Sequence, residues 1–232
     1  MSNEIKILEI YLTTDEFEQV RSEPRFLMLI RLARIVNQLN FCFDVLLSST
    51  NYKTPAGERQ YLNSFLFSCG VLYEGLKFIR PLGKDFSSYK SYKNGFAKLW
   101  KDKDTHYLRE NVLNKMRNGI VFHIDSQPIE ETIQVLKLDA YQFLASAGYE
   151  SGEVYYNLAD AISLNYIVGK PASNEEEERI FRDILGKIGK VGANYVKSAN
   201  ELIAEFIKEK SWQFREVPRK IIKEPNEIHS NN

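Results

Sequence analysis

Apolar residues recur every three or four positions through most of the chain, and short stretches of Pro, Gly, Ser and Asn separate the runs that keep this spacing. That is the period of a helix, so the expected class is all-α, a helical bundle. The first strong run predicts a helix over 24–48 with Pro24 at its start, and its apolar residues cover so much of the circumference that a central, well-covered position is expected. Thr54-Pro55 joins a capping residue to a proline suited to a first turn, and predicts a second helix ending near Arg80-Pro81-Leu82-Gly83. These two should form an antiparallel hairpin. A short helix over 89–100 and another over 105–122, with the stripe Leu108, Val112, Met116 and Ile120, complete a four-helix unit.

The pattern weakens between 125 and 169: residues 128–138 read as a helix, 148–152 as a turn, and 154–168 as a helix or, second, a strand. It sharpens again at Ser173, which with Glu176 fits a capping box, and Ile180, Ile184, Ile188, Val191, Tyr195, Leu202 and Phe206 then share one face of a helix running to about 210. The expected organisation is a bundle core over 1–125, a helical extension packed on it over 126–210, and a polar tail over 211–232 that wraps the surface or is disordered. Residues 5–12 suit an edge strand or an extended arm. Gly186, Gly189 and Gly192 suggest close packing of the last helix on a neighbour.

Composition narrows the classes. The 232 residues carry 31 basic and 31 acidic side chains and are 44% hydrophobic, which excludes a disordered chain and a bulk polycation; any nucleic-acid surface must be a local patch. Arg31, Arg34, Asn37, Gln38, Asn40 and Asp44 interrupt the most apolar segment, so no membrane span is expected. The N-terminus lacks the pattern of a secretory leader, and Cys42 and Cys69 sit in apolar helical patterns as free thiols of a reducing compartment, so a cytoplasmic location is expected. Phosphate-loop, dinucleotide, zinc-protease and nucleophile-elbow motifs are absent, and no cofactor is implied. The acidic run Glu175 to Glu178 reads as a solvated first turn that complements the helix dipole.

One segment carries chemistry. Residues 115–125 read Lys-Met-Arg-Asn-Gly-Ile-Val-Phe-His-Ile-Asp, so Arg117, followed by Asn118, and His123 bracket five residues. This resembles the RX4-6H motif of the HEPN superfamily of helical-bundle proteins, in which the motif lies on a late helix. The resemblance covers about residues 24–125. It implies a metal-independent endoribonuclease or toxin acting on RNA as a homodimer, with two motifs meeting across the interface and an antitoxin as a further partner. The tyrosine that some members carry two residues after the histidine is replaced here by Asp125.

The residue types suit that reaction. A histidine of ordinary pKa near 6.5 can take a proton from a 2′-hydroxyl or give one to a leaving oxygen, and the planar arginine fork can hold a phosphoryl oxygen as charge builds. Asn118 would orient the phosphate or the histidine. On a regular helix, however, Arg117 and His123 lie about 120° apart, and His123 falls within the apolar stripe. A structural histidine bonded to a carbonyl, Asp44 or Glu74, within a non-enzymatic ligand-binding or protein-interaction module, is the alternative.

Glu74 is placed to pair with Arg117. Between 77 and 103 eight basic residues face two acids, with aromatics interleaved. Lys90, Lys93, Lys98, Tyr92 and Trp100 are the expected substrate-binding residues, by phosphate attraction and base stacking, unless the aromatics pack inward.

Overall fold

The computed structural model describes residues 4–48, 54–121, 126–135, 143–146, 154–169 and 173–220. It is an all-α helical bundle, to which two short two-stranded ribbons are added. Strand β1 (Glu4–Glu9) leads into α1 (Thr14–Val20), α2 (Pro24–Ser48) and α3 (Pro55–Phe86). Two short helices follow, α4 (Lys90–Asn94) and α5 (Phe96–Lys101), broken at Gly95. The motif helix is a composite: α6 (Lys103–Tyr107), a π-helical stretch Leu108–Leu113, α7 (Asn114–Met116), and a second π-helical stretch Arg117–Val121. Then come α8 (Ser126–Val135), β2 (Ala145–Ser146), β3 (Val154–Tyr155), α9 (Asn157–Val168), α10 (Asn174–Glu209) and β4 (Arg215–Lys220).

The caps are where the sequence put them. Thr54 Oγ1 accepts from Gly57 N and Ser173 Oγ from Glu176 N, each filling one of the donors that a helix start leaves open. The α3 helix overruns its expected end, because Pro81 lies inside it and the chain stays helical to Phe86. The burial of Ile79, Leu82 and Phe86 explains this: three apolar anchors on the far turns outweigh the hydrogen bond that proline removes.

The core runs through α2, α3, α5, the motif helix and α10. Leu32, Leu39, Phe65, Leu72, Leu76, Phe96, Leu108, Leu113 and Tyr195 are all fully buried in it. Helix α10, expected in an extension, contributes Ile184, Ile188, Val191, Tyr195, Ala199, Leu202 and Phe206 to this same cluster. Leu108 and Leu113 are five residues apart and both are buried, the spacing that an i→i+5 turn brings to one face.

Two expectations need correction. Helix α2 is not covered all round: Leu27, Ile30 and Phe41 are exposed and share that side with Arg31, Arg34 and Asn37, and Leu47 is exposed at the helix end. Of the three α10 glycines, Gly192 alone meets a neighbour, the Phe43 ring, while Gly186 and Gly189 face open space.

The first and last described strands meet. Strands β1 and β4 pair antiparallel, with Glu4 opposite Lys220, Glu9 opposite Arg215, and Pro218 in a ribbon where every strand is an edge. So residues 5–9 form a strand, and the tail to residue 220 is ordered against it. Trp212 packs edge-on to Phe26 and Phe206, and Lys210 pairs with Glu23 at 2.6 Å. Arg25 joins the ends of α2 and α10 through Glu209 (2.8 and 3.1 Å) and also reaches Tyr89 Oη at 3.1 Å. The expected turn at 148–152 lies outside the described residues.

Candidate functional site

Helix α3 and the motif helix cross where Glu74 and Tyr73 face Asn114 and Arg117. Arg117 Nε donates to Glu74 Oε1 at 3.0 Å and its Nη1 donates to Asn118 Oδ1 at 2.8 Å. Asn118 Nδ2 in turn donates to Asn114 Oδ1 at 2.9 Å, and the same oxygen accepts from Tyr73 Oη at 2.8 Å. The expected pairing of Glu74 with Arg117 is therefore present, and it is one end of a five-residue polar chain. Both partners are partly exposed, at 30% for Arg117 and 43% for Glu74, so the pair adds only about 0.2–1 kcal/mol to stability. Its effect is geometric: two edges of the guanidinium are engaged, which fixes its plane.

His123 lies outside the described residues, as do the bonds proposed for it. Over Arg117–Val121 the backbone is π-helical, and there an i→i+5 turn advances by less than the 100° per residue of a regular helix. Such widened turns occur often at functional sites.

Beside this chain lies a groove of about 310 Å³ between α3 and the motif helix. Tyr73, Lys77 and Arg80 form the α3 wall, Trp100 closes one end, and Arg109, Glu110 and Asn114 form the opposite wall. The Arg109 guanidinium lies 3.9 Å from the centre of the Trp100 ring and that of Arg80 4.9 Å, while Lys77 Nζ is 5.3 Å from the Tyr73 ring. Arg109 Nε donates to Glu110 at 2.7 Å and Nη2 contacts His106 Nδ1 at 3.3 Å; Nη1 is buried and has no hydrogen-bond partner among the described residues. The bond from Arg109, then its charge, holds the Glu110 carboxyl below the usual range, with smaller help from His106 and Arg80.

The expected substrate-binding residues do not gather at one place. Trp100 borders the groove. Lys90 instead faces α10, in a cavity shared with Glu205 and Glu209, and Lys98 lines another with Lys197 and Glu201. Lys93 is exposed on α4. Tyr92 Oη donates to Ile79 O at 3.3 Å and its ring packs on the core, as do Phe86, Tyr89 and Phe96, so most of the interleaved aromatics point inward. Sequence reasoning missed Tyr73, Arg109 and Asn114. Asn114 stands one turn before Asn118, a spacing that pairs side chains on a helix, and Arg109 lies just past the basic stretch.

Among the described residues no three His, Cys, Asp or Glu side chains gather so as to hold a metal ion. Cys42 and Cys69 are buried free thiols, and burial pushes both upward in pKa. Helix α2 is the one described helix long and apolar enough to cross a membrane, and its Leu32, Leu39 and Cys42 are fully buried within the bundle. No family model, curated protein or solved structure matches the chain.

Proposed function

We propose that this protein is a HEPN-like, metal-independent endoribonuclease or toxin that acts on RNA as a homodimer. The observation that carries the reading is the polar chain Glu74–Arg117–Asn118–Asn114–Tyr73, which holds the motif arginine in one plane beside a basic groove. A guanidinium held this way meets a phosphoryl oxygen with little reorganisation, the condition under which electrostatic stabilisation of a transition state is strongest. Its bond to Asn118 is exposed, so a phosphate oxygen can take the place of Oδ1. In this reading His123 removes the 2′-hydroxyl proton, the O2′–P bond forms as P–O5′ breaks, and the departing O5′ receives a proton. An antitoxin would act by covering the groove, and the cytoplasm is the expected setting.

The test is wild type and His123→Ala incubated with single-stranded RNA in EDTA. Cleavage by the wild type and its loss in a folded variant are expected. Equal or absent cleavage with the variant folded sinks the ribonuclease reading. A second reading rests on the same contacts: Arg117 already has protein partners on two edges, which favours a ligand-binding or interaction module in which the motif is structural. Loss of folding in His123→Ala together with inactivity of the wild type would select it.

A further inference from the structure

We infer that the groove between α3 and the Trp100–Arg109 wall is the path of a single RNA strand, gripped by its phosphates through Lys77 and Arg80. The inference rests on the reading of the protein as RNA-directed, and adds a binding track apart from the motif.

Four observations carry it. First, the charge is one-sided: three cations, Lys77, Arg80 and Arg109, face the single carboxylate of Glu110, which is already bonded to Arg109. Second, the cations are not equivalent. Arg109 has Nε on Glu110, Nη2 on His106 and Nη1 buried, so it supplies field and support rather than contacts. Lys77 and Arg80 are exposed and, among the described residues, make no ion pair or hydrogen bond with a carboxylate; they lie over the Tyr73 and Trp100 rings, and Arg80 acts on Glu110 only by its charge at a distance. A phosphate can therefore bind them without breaking an ion pair.

Third, the groove excludes base stacking as its main mode. Trp100 is already flanked by two guanidiniums, and a base stacking there would displace one, so the aromatic serves to aim arginines and the ligand is read by its backbone. Fourth, the track has direction. Tyr73, Lys77, Arg80 and Lys84 share one face of α3, and Lys77 to Lys84 spans about 10 Å along its axis. At the other end Tyr73 and Asn114 hand over to Asn118 and Arg117. A strand gripped at Lys77 and Arg80 thus delivers a neighbouring phosphate to the motif.

The test measures binding without chemistry. A fluorescent 2′-O-methyl oligoribonucleotide has no free 2′-hydroxyl and cannot be cleaved by this route, so its anisotropy reports binding alone. Wild type, Lys77→Gln/Arg80→Gln and a control, Lys197→Gln/Lys208→Gln on α10, are titrated from 50 to 200 mM salt. Each phosphate contact to a single strand contributes about 0.7 to the slope of log affinity against log salt, so loss of two lowers the slope by about 1.4. Affinity at the low-salt end should fall roughly tenfold or more, with homopolymers of different base affected alike. The control should keep the wild-type slope.

An unchanged slope in Lys77→Gln/Arg80→Gln, with the wild type binding, overturns the inference while the ribonuclease reading stands. Groove-dependent binding without any cleavage of ordinary RNA in EDTA supports the inference and sinks the ribonuclease reading. A wild type that binds anionic vesicles but no oligonucleotide overturns both.

Discussion

Replacing Tyr195 with phenylalanine removes one buried oxygen and leaves the ring in place. Tyr195 is fully buried in the centre of α10, edge-on to Phe96 and so close to α3 that a Cβ at Gly75 would lie 2.9 Å from its Cζ. Its hydroxyl has no hydrogen-bond partner among the described residues. A buried hydroxyl without a partner costs about 1–3 kcal/mol, whereas the ring contacts survive the substitution. Tyr195→Phe should therefore be more stable at pH 7 by about 1 kcal/mol, a rise of roughly 2–4 °C in Tm for a chain of this size.

Burial also pushes the Tyr195 phenol far above its ordinary range near 10, which fixes a sign. Below pH 10 the hydroxyl is protonated in both folded and unfolded chains and stability does not depend on it. Above pH 10 the unfolded chain ionises first, so this contribution to stability is lost as pH rises; at pH 11 the loss is about 1.4 kcal/mol, which the phenylalanine variant escapes. Tyr89, Tyr92 and Cys69 shift in the same direction, but they are present in both proteins and cancel in the comparison. Urea unfolding of both proteins at pH 7 and pH 11 measures the two effects. A variant less stable at pH 7 by more than about 1 kcal/mol, with an alkaline loss equal to that of the wild type, would refute the account of an unsatisfied, fully desolvated hydroxyl.

Gly186→Ala and Gly189→Ala face open space and should each stabilise α10 by up to about 1 kcal/mol, whereas Gly192→Ala brings a Cβ to 2.5 Å from Phe43 Cζ and should destabilise; thermal melts that rank the three alike would contradict the geometry. A double-mutant cycle on Glu74→Ala and Arg117→Ala should give a coupling of about 0.2–1 kcal/mol in stability that shrinks at high salt, and a coupling of zero would mean that the pair is not populated in solution.

The long elements were legible because each is amphipathic on its own. The stripe from Ile180 to Phe206 and the caps at Thr54 and Ser173 depend on residues a few positions apart, and they fold as the local pattern dictates. The pairing of Glu74 with Arg117 was also within reach, since an acid on the hairpin and an arginine on the next long helix invite it. Legibility failed where an outcome depended on a distant partner. Pro81 would end a helix in isolation, and buried anchors carry α3 past it. The basic stretch looked like one surface, yet the chain turns at Gly95, sending Lys90 and Lys98 toward α10 while Lys77 and Arg80 join Arg109.

By itself, then, the sequence determined a helical class, the extent of the longest helices, the residues of the main stripes and a short segment rich in chemistry, because hydrophobic period and capping act over three to seven residues. Only the tertiary structure decided that strands β1 and β4 pair, that α10 belongs to the central core, and that Trp100 holds two arginines instead of offering a free face. These are contacts between residues far apart along the chain. Their free energy comes from shape and charge meeting across elements, which no local pattern encodes.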